Sequence, residues 1–450
     1  MTDQRLLHGQ WSSRLAFILA ASGSAIGLGN IWKFPYLLGE NGGGAFVLVY
    51  LACVIGIGLP LMMAETMLGR RGRQSPINTM ASLADEAGAH HAWRYVGWLG
   101  VVAGFLILSY YSVIAGWSMA YIFKMAGGFL NNVTPDIAQQ TFQDMKAAPD
   151  VQLIWHTAFM GATAVIVSKG VSQGLERVTR IMMPGLLLML LALDIYAAGS
   201  NGFAEGVSFL FKPEFDKLTG ESILLAMGQA FFSLGLGMGS IMVYGSYLPD
   251  HVSIGRSSIF VAFMDTLVAL MAGIAIFPIV FSNHLAPGMG PGLIFETLPL
   301  AFGHMAGGAL FGTLFFILVF FAAITSAIAL IEPAIAWLSE NCGLSRSRAS
   351  AYAGSFCWFL GLGTLLSFNH WSSLTWFGKN AFELVDFVTA DLMLPAGGIL
   401  IALFAGWIMK KQDSEKELEL GSYYPYWKTL IRYAAPLSVF IIFAHAMGLL

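Results

Sequence analysis

Two carboxylates stand where the chain offers them no water. Glu65 follows an apolar run from Ala45 to Ala64 and precedes Arg70, and Asp265 follows Phe260-Val-Ala-Phe-Met with no basic residue nearby. Ionisable groups inside apolar segments are functional candidates by default. Glu65 could accept hydrogen bonds from unwound backbone, a better fit to its depth than a carboxylate snorkelling to the interface. For Asp265 the fitting partner is a bound cation. Lys33 and Asp386 are opposite charges at the outer ends of their segments and could pair across a vestibule. Thr325 and Ser326 could ligate an ion, although hydroxyls in helices more commonly bond back to their own backbone. Tyr110-Tyr111 lies well inside its segment, which favours a lining role over an interfacial one.

The elements that would position these groups carry their own signal. Ala20-Ala-Ser-Gly-Ser-Ala-Ile-Gly-Leu-Gly-Asn30 sits inside the first apolar segment, and Phe232-Ser-Leu-Gly-Leu-Gly-Met-Gly-Ser240 sits inside a later one. Glycine in a helix costs about 1 kcal/mol against alanine, so such clusters invite local unwinding. Within a bilayer, unwound backbone persists only where protein or ligand satisfies its bared N–H and C=O groups. Paired interruptions in two halves of a chain point to a transporter's binding site. Gly23-x-x-x-Gly27 alone would serve close helix packing equally well, but Ser24, Asn30 and Ser233 are polar neighbours that packing does not need. Bared N–H groups at a positive dipole end suit a carboxylate, and bared carbonyls suit an alkali cation or an ammonium. A zwitterionic amino acid with sodium fits both.

Composition agrees. The 450 residues are 57% hydrophobic and 11% charged, with a net charge of −3, which describes a polytopic membrane protein and argues against nucleic acid as a partner. Eleven segments, each on the order of 20 residues or longer, could span: roughly 13–37, 43–69, 95–124, 151–168, 175–198, 221–247, 257–282, 307–338, 350–368, 382–409 and 428–450. Arginines and lysines collect on alternate loops, which puts the N-terminus in the cytoplasm and, with an odd number of spans, the C-terminus outside. The halves 13–198 and 221–409 each open on a glycine-broken helix and would enter with opposite polarity, as an inverted repeat within a single transporter domain, 1–450. The stretch 428–450 would then be an added helix. Loop 126–150 reads as long and polar, with a chance sequon at Asn132-Val-Thr134, and 411–427 reads as a solvated linker. A cleaved leader is disfavoured by the weakly basic start. Cys53, Cys342 and Cys357 have no metal or redox spacing. The HExxH and GxxxxGK[S/T] patterns are lacking, so enzyme or ATPase chemistry is not expected. A channel would need a continuous polar face, whereas the polar groups here cluster near mid-span.

Several stretches together resemble the neurotransmitter:sodium symporters, the family with the LeuT fold that exemplifies broken transmembrane helices. They are Trp11-Ser-Ser-Arg-Leu, Gly23 through Pro35, Glu40-Asn-Gly-Gly-Gly-Ala-Phe46, Gly58 through Glu65, Tyr110-Tyr111, Gly228-Gln-Ala-Phe-Phe232 and Ala322-Ala-Ile-Thr-Ser326. The resemblance implies an all-α, 5+5 inverted-repeat protein with discontinuous helices 1 and 6, of the shorter eleven-helix bacterial branch. It implies two sodium ions. One would be held by Ala25, Asn30, Ser233 and Asp265 with the substrate carboxylate; the other by Gly23, Ile26, Ala322, Thr325 and Ser326. Substrate would touch Ser24, Ala25, Gly27, Leu28 and Gly29 on the first helix, Ile107 and Tyr111 on the third, and Phe232, Ser233, Gly235 and Met238 on the sixth. Ser326 and Leu330 would complete the pocket. The Leu28 and Gly29 amides and Tyr111 would take the carboxylate, Phe232 would be the lid, and Lys33, Gln229 and Asp386 the outer gate. An inner gate would join a basic residue, Arg5 or a neighbour, to Tyr247 and Glu340.

Departures from the family pattern sharpen the expected function, which is sodium-coupled symport of L-amino acids across a bacterial cytoplasmic membrane. The alternative is an amino-acid-sensing receptor on the same fold. Lys33 replaces the usual arginine and forfeits bidentate pairing. Gly27 stands where monoamine carriers place an aspartate, so the substrate should bring its own carboxylate. Gly235 and Met238 stand where carriers of small aliphatics have Ser and Phe, which favours bulky hydrophobic or aromatic side chains. Chloride-dependent relatives hold the anion with Tyr, Gln and Ser. Tyr50, Gln229 and Ser233 match, but Ala269 replaces a serine and Asp265 an asparagine. Asp265 would supply the negative charge, making uptake chloride-independent with a proton returning on the empty carrier. Lipid surrounds such a chain, and an oligomer is compatible with the reading but not required by it.

Overall fold

In the computed structural model, residues 9–285 and 292–448 are described, and among them the protein is helical with no strand beyond two isolated bridges. Among the described residues nine helices are long and apolar enough to cross a membrane, and Arg14–Ala25 with Gly29–Glu40 makes a tenth as a pair bent by 59°. The remaining expected segment, 221–247, is two helices, Gly220–Ser233 and Ser240–Ser246, each too short to span alone. Counting that pair as one crossing gives the eleven segments read from the sequence. The eleventh begins earlier than 428, as Gly421–Ala446.

Both breaks follow from backbone chemistry. In the first span Ile26 leaves the helical region (φ −71°, ψ 102°) and its N–H still reaches Ser22 O at 2.7 Å, so the break falls just beyond it. In the sixth, Gly235, Gly237 and Gly239 sit at φ +65°, +80° and +73°, left-handed conformations that side chains with a Cβ adopt only under strain. The breaks stay closed because neighbouring helices approach backbone to backbone. A Cβ on Gly69 of the second span, Gly44–Gly72, would lie 1.9 Å from Met242 O, and one on Gly245 would lie 2.6 Å from Thr66 O.

Two segments depart from the sequence reading. Within loop 126–150, Pro135–Ala147 is a helix capped by the Thr134 hydroxyl, and its buried Phe142 stacks on Phe295 at 5.3 Å. Proline at the first helical position after a threonine cap is the signal for it. Within the supposed solvated linker, Lys411–Leu418 is a docked helix. Ser414 and Leu418, one turn apart, are buried, and the Ser414 hydroxyl lies 2.7 Å from Tyr424 OH. The charges taken for a solvated face are partners for arginines of the second span: Glu417 meets the buried Arg70 at 2.9 Å and Asp413 meets Arg71 at 2.9 Å. All three cysteines are free, with Cys342 exposed.

Because Gly69 meets carbonyl oxygen rather than a flexible side chain, Gly69→Ala should cost about 1–3 kcal/mol or more. A fluorescence melting curve in detergent should show Tm lowered by several degrees, whereas Gly56→Ala, which has nothing within 4 Å, should leave it in place.

Candidate functional site

The break in the first span bares groups that its own second half and other helices answer. Gly27 N–H donates to Asn30 Oδ1 at 3.2 Å, and Leu28 N–H donates to Tyr111 OH at 3.4 Å. The Ser326 hydroxyl lies 3.2 Å from Gly23 O and 3.1 Å from Ile26 O. One hydroxyl proton cannot fully serve both carbonyls, so three oxygens converge with a donor too few, a donor set suited to a hard cation. Thr325 bonds back to Phe321 O (2.9 Å) and Ala322 O (3.1 Å), and its Cβ would be 3.0 Å from a Cβ at Gly23. The five residues of the second expected ion set are therefore neighbours.

Asp265, fully buried in the seventh span Ile254–Ser282, receives only neutral donors. Asn30 Nδ2 reaches Oδ1 at 2.7 Å, while the Ser233 hydroxyl (2.8 Å) and Tyr50 OH (3.3 Å) reach Oδ2. Among the described residues no basic side chain pairs with it. Glu65, equally buried, accepts Gly237 N–H at 2.7 Å and so holds the left-handed stretch of the sixth span.

Between these features lies a cavity of about 50 Å³. Ser24, Ala25, Gly27, Leu28, Gly29 and Asn30 line it from the first span; Ile107 and Tyr111 from the third; Phe232, Ser233, Gly235 and Met238 from the sixth; and Ser326 and Leu330 from the eighth. Every residue expected to touch substrate is on that wall. Phe232 closes it outward, close enough that a Cβ on Gly29 would lie 3.2 Å from its ring. Beyond the ring a vestibule of about 190 Å³ is lined by Lys33, Gln229, Asp391 and His445, among others. Gln229 Nε2 reaches Gly29 O at 3.5 Å.

The outer charges are arranged differently from expectation. Lys33 and Asp386 make no ion pair among the described residues. Lys33 instead lies over the Phe232 ring, 4.8 Å from its centroid. The acid that shares the vestibule is Asp391. Asp386 caps the π-helical stretch Phe387–Met393, and Asp391 lies within it. Asp391 opens on the vestibule beside Lys33, while Asp386 faces Tyr110.

At the opposite, arginine-rich end Trp11 seals the path. Its backbone N–H donates to Tyr247 O at 3.1 Å and its indole to Tyr244 O at 2.9 Å. Arg5 lies outside the described residues. Glu340 accepts from the Ser75 N–H (2.7 Å), the Ser75 hydroxyl (2.5 Å) and Asn78 (2.7 Å), and Tyr247 OH donates to Glu332 at 2.6 Å. Glu332, buried and ion-paired with Arg346, was missed from the sequence. The signal was present: a carboxylate inside the apolar run Ala329-Leu-Ile-Glu-Pro-Ala-Ile-Ala336. Glu176, which takes the Ser12 N–H at 3.0 Å and Arg180 at 2.8 Å, was missed too.

Set against known proteins, this arrangement has a clear family. The model of the sodium:neurotransmitter symporter family matches residues 8–144 and 138–448. The chain is 39% identical to the uncharacterized sodium-dependent transporter YhdH of Bacillus subtilis, over 100% of both chains. It is 30% identical to the uncharacterized sodium-dependent transporter MJ1319 of Methanocaldococcus jannaschii, over 98% of this chain and 91% of that one. Among solved structures, MhsT in complex with L-phenylalanine superposes with a TM-score of 0.90 at 42% identity, covering 98% of this chain and 100% of that one. The chain belongs to the sodium:neurotransmitter symporter family: a multi-pass membrane transporter of the LeuT fold that uses sodium, and not an enzyme.

If Asp391 is the acid Lys33 feels, the two should be coupled energetically, by about 0.5 kcal/mol for a solvated pair. In a double-mutant cycle on uptake, Asp391→Asn should have roughly a twofold effect that vanishes in a Lys33→Gln background. Asp386→Asn should act the same in both backgrounds.

Proposed function

We propose that this protein carries hydrophobic and aromatic L-amino acids inward with two sodium ions, independently of chloride, across a bacterial inner membrane with its N-terminus in the cytoplasm and its C-terminus outside. The observation that carries the reading is Asp265, a fully buried carboxylate beside the cavity with three neutral donors and no basic partner. Two sodium ions and a zwitterion bring a net charge of +2 into a low-dielectric site, which is costly without a nearby negative charge. Asp265 supplies that charge as a fixed group, where chloride-dependent relatives borrow an ion. With sodium gone the carboxylate would stand unneutralised, and a proton taken up from the cytoplasm would let the empty carrier return.

The substrate carboxylate would displace Tyr111 OH from Leu28 N–H and complete the ion site of Ala25, Asn30, Ser233 and Asp265. The second ion would enter among Gly23, Ile26, Ala322, Thr325 and Ser326, with the Ser326 hydroxyl keeping its proton but turning it away from the two carbonyls so that its oxygen faces the ion. Loading both sites ties the first span to the seventh and eighth, and their release at the inner end would follow parting of Trp11 from Tyr244 and Tyr247. Phe232, Lys33 and Gln229 would open and close the outer side.

The L-phenylalanine bound to MhsT supports the substrate class. A cavity of about 50 Å³ admits such a side chain only if Met238 and Phe232 swing aside, which flexible Met permits. Gly235 is less useful for testing size than its position suggests, because at φ +65° a serine there would add backbone strain to any steric effect. Met238→Phe is the cleaner probe. It should shift preference from tryptophan toward alanine by about 1–3 kcal/mol, read as the ratio of their kcat/KM values.

Uptake into proteoliposomes at fixed sodium, with chloride replaced by gluconate, should be unchanged, whereas Asp265→Asn should lose most of its sodium affinity. A wild-type collapse in gluconate would refute the charge assignment. In the same vesicles tryptamine and tyramine should fail to compete with tryptophan and tyrosine. Preloaded amino acid should exchange in counterflow, which a receptor on this fold would not support.

A further inference from the structure

The inner end of the tenth span, Ala381–Ile408, is capped by two cations that belong to the eleventh. A helix C-terminus leaves its last carbonyls unpaired. Here Lys428 Nζ takes Ala405 O at 3.0 Å and Arg432 Nε takes Gly406 O at 2.7 Å. Gly406 allows this approach, since a Cβ there would lie 3.1 Å from Arg432 Cγ. The helix end offers about half a negative charge, and two full positive charges meet it, so more than one unit of positive charge remains. Lys428 is nine-tenths buried, which denies it full hydration.

No carboxylate makes up the difference. Among the described residues neither Lys428 nor Arg432 forms an ion pair. Asp413 and Glu417 of the docked helix are engaged with Arg70 and Arg71. Two N–H groups of Lys428 and four of Arg432 are left over from the capping bonds. Beside them Trp407 and Tyr433, 50% and 56% exposed, pack edge to face at 5.4 Å. Arg432 lies over the Trp407 ring at 4.9 Å, and the indole N–H donates to Arg432 O at 3.2 Å. Exposed tryptophan and tyrosine at the end of a span mark the headgroup level of a bilayer.

We propose that Lys428 and Arg432, floored by the carbonyl end of the tenth span and flanked by Trp407 and Tyr433, bind the phosphodiester of an anionic phospholipid in the adjoining leaflet. The chemistry required is a phosphate oxygen with an acyl chain lying along Trp407 and Tyr433. Free inorganic phosphate shares the first feature and lacks the second. The inference needs only that the chain spans a bilayer and does not depend on which substrate it carries.

Native mass spectrometry of the full chain released from mixed phosphatidylcholine and phosphatidylglycerol nanodiscs tests it. A cation near a charged leaflet is good for about fivefold in partition. Wild type should therefore retain phosphatidylglycerol over phosphatidylcholine, Arg432→Gln should reduce that preference about fivefold, and Arg432→Lys should keep most of it. Inorganic phosphate at millimolar concentration should leave the melting curve in detergent unchanged. On wild type alone, a phosphatidylglycerol with a photoreactive headgroup should label peptides containing residues 403–410 and 426–436. Equal retention of the two lipids by wild type, undiminished preference in Arg432→Gln, a melting curve raised by inorganic phosphate, or label only elsewhere would each overturn the proposal.

Discussion

Backbone hydrogen bonds that cannot be made in a bilayer organise this molecule. Breaking a transmembrane helix leaves N–H and C=O groups whose desolvation costs several kcal/mol each unless something answers them. At the first break the answers are Asn30, Tyr111 and Ser326; at the second, Glu65. Each responding side chain is held by a different helix, so the two interruptions draw the third and eighth spans, and Asp265 of the seventh through Asn30, toward one point. The site is the place where the fold's backbone accounts are left open, and only polar ligands can close them.

Charge is handled by the same economy. Inside the bilayer Asp265 and Glu65 work as acceptors for neutral donors, and Glu332 is neutralised by Arg346. The abundant charges sit at the arginine-rich end, where Arg70, Arg71, Glu417 and Asp413 clasp the short helix Lys411–Leu418 against the second span. Among the described residues Asp265 combines deep burial, a place beside the cavity and the lack of a basic partner, which is why the ion chemistry is proposed for it.

Much of this was legible in the residues, for reasons that can be named. Glycine clusters announce left-handed or unwound backbone, so both breaks were readable, and a lone carboxylate in an apolar run is conspicuous, so Asp265 and Glu65 were too. Thirteen of the fourteen residues lining the cavity were expected as substrate contacts from motif resemblance, since contacts among four helices have no local signature. Pairings across helices were read less well. Sequence offers Asp386 as the partner of Lys33, but the acid that lines the vestibule is Asp391, because which of two nearby acids on one helix faces a neighbour has no compositional mark. The helix Lys411–Leu418 was taken for solvated chain because its charges are visible in sequence and the arginines that neutralise them lie more than three hundred positions away. Glu332 had a signal of the same kind as Glu65 and shows that each acid in an apolar run needs its own explanation.

The central claim is that the open backbone at the two breaks forms one joint site for an amino-acid carboxylate and sodium. If so, the ligands must favour each other by the same factor in either order. Equilibrium binding of radiolabelled L-phenylalanine to the purified protein, titrated with sodium against choline at constant ionic strength, measures that coupling directly. The affinity should rise at least tenfold with sodium, about 1.4 kcal/mol, and saturating L-phenylalanine should raise the apparent sodium affinity by the same factor. An affinity for L-phenylalanine that is identical in sodium and in choline would contradict the account.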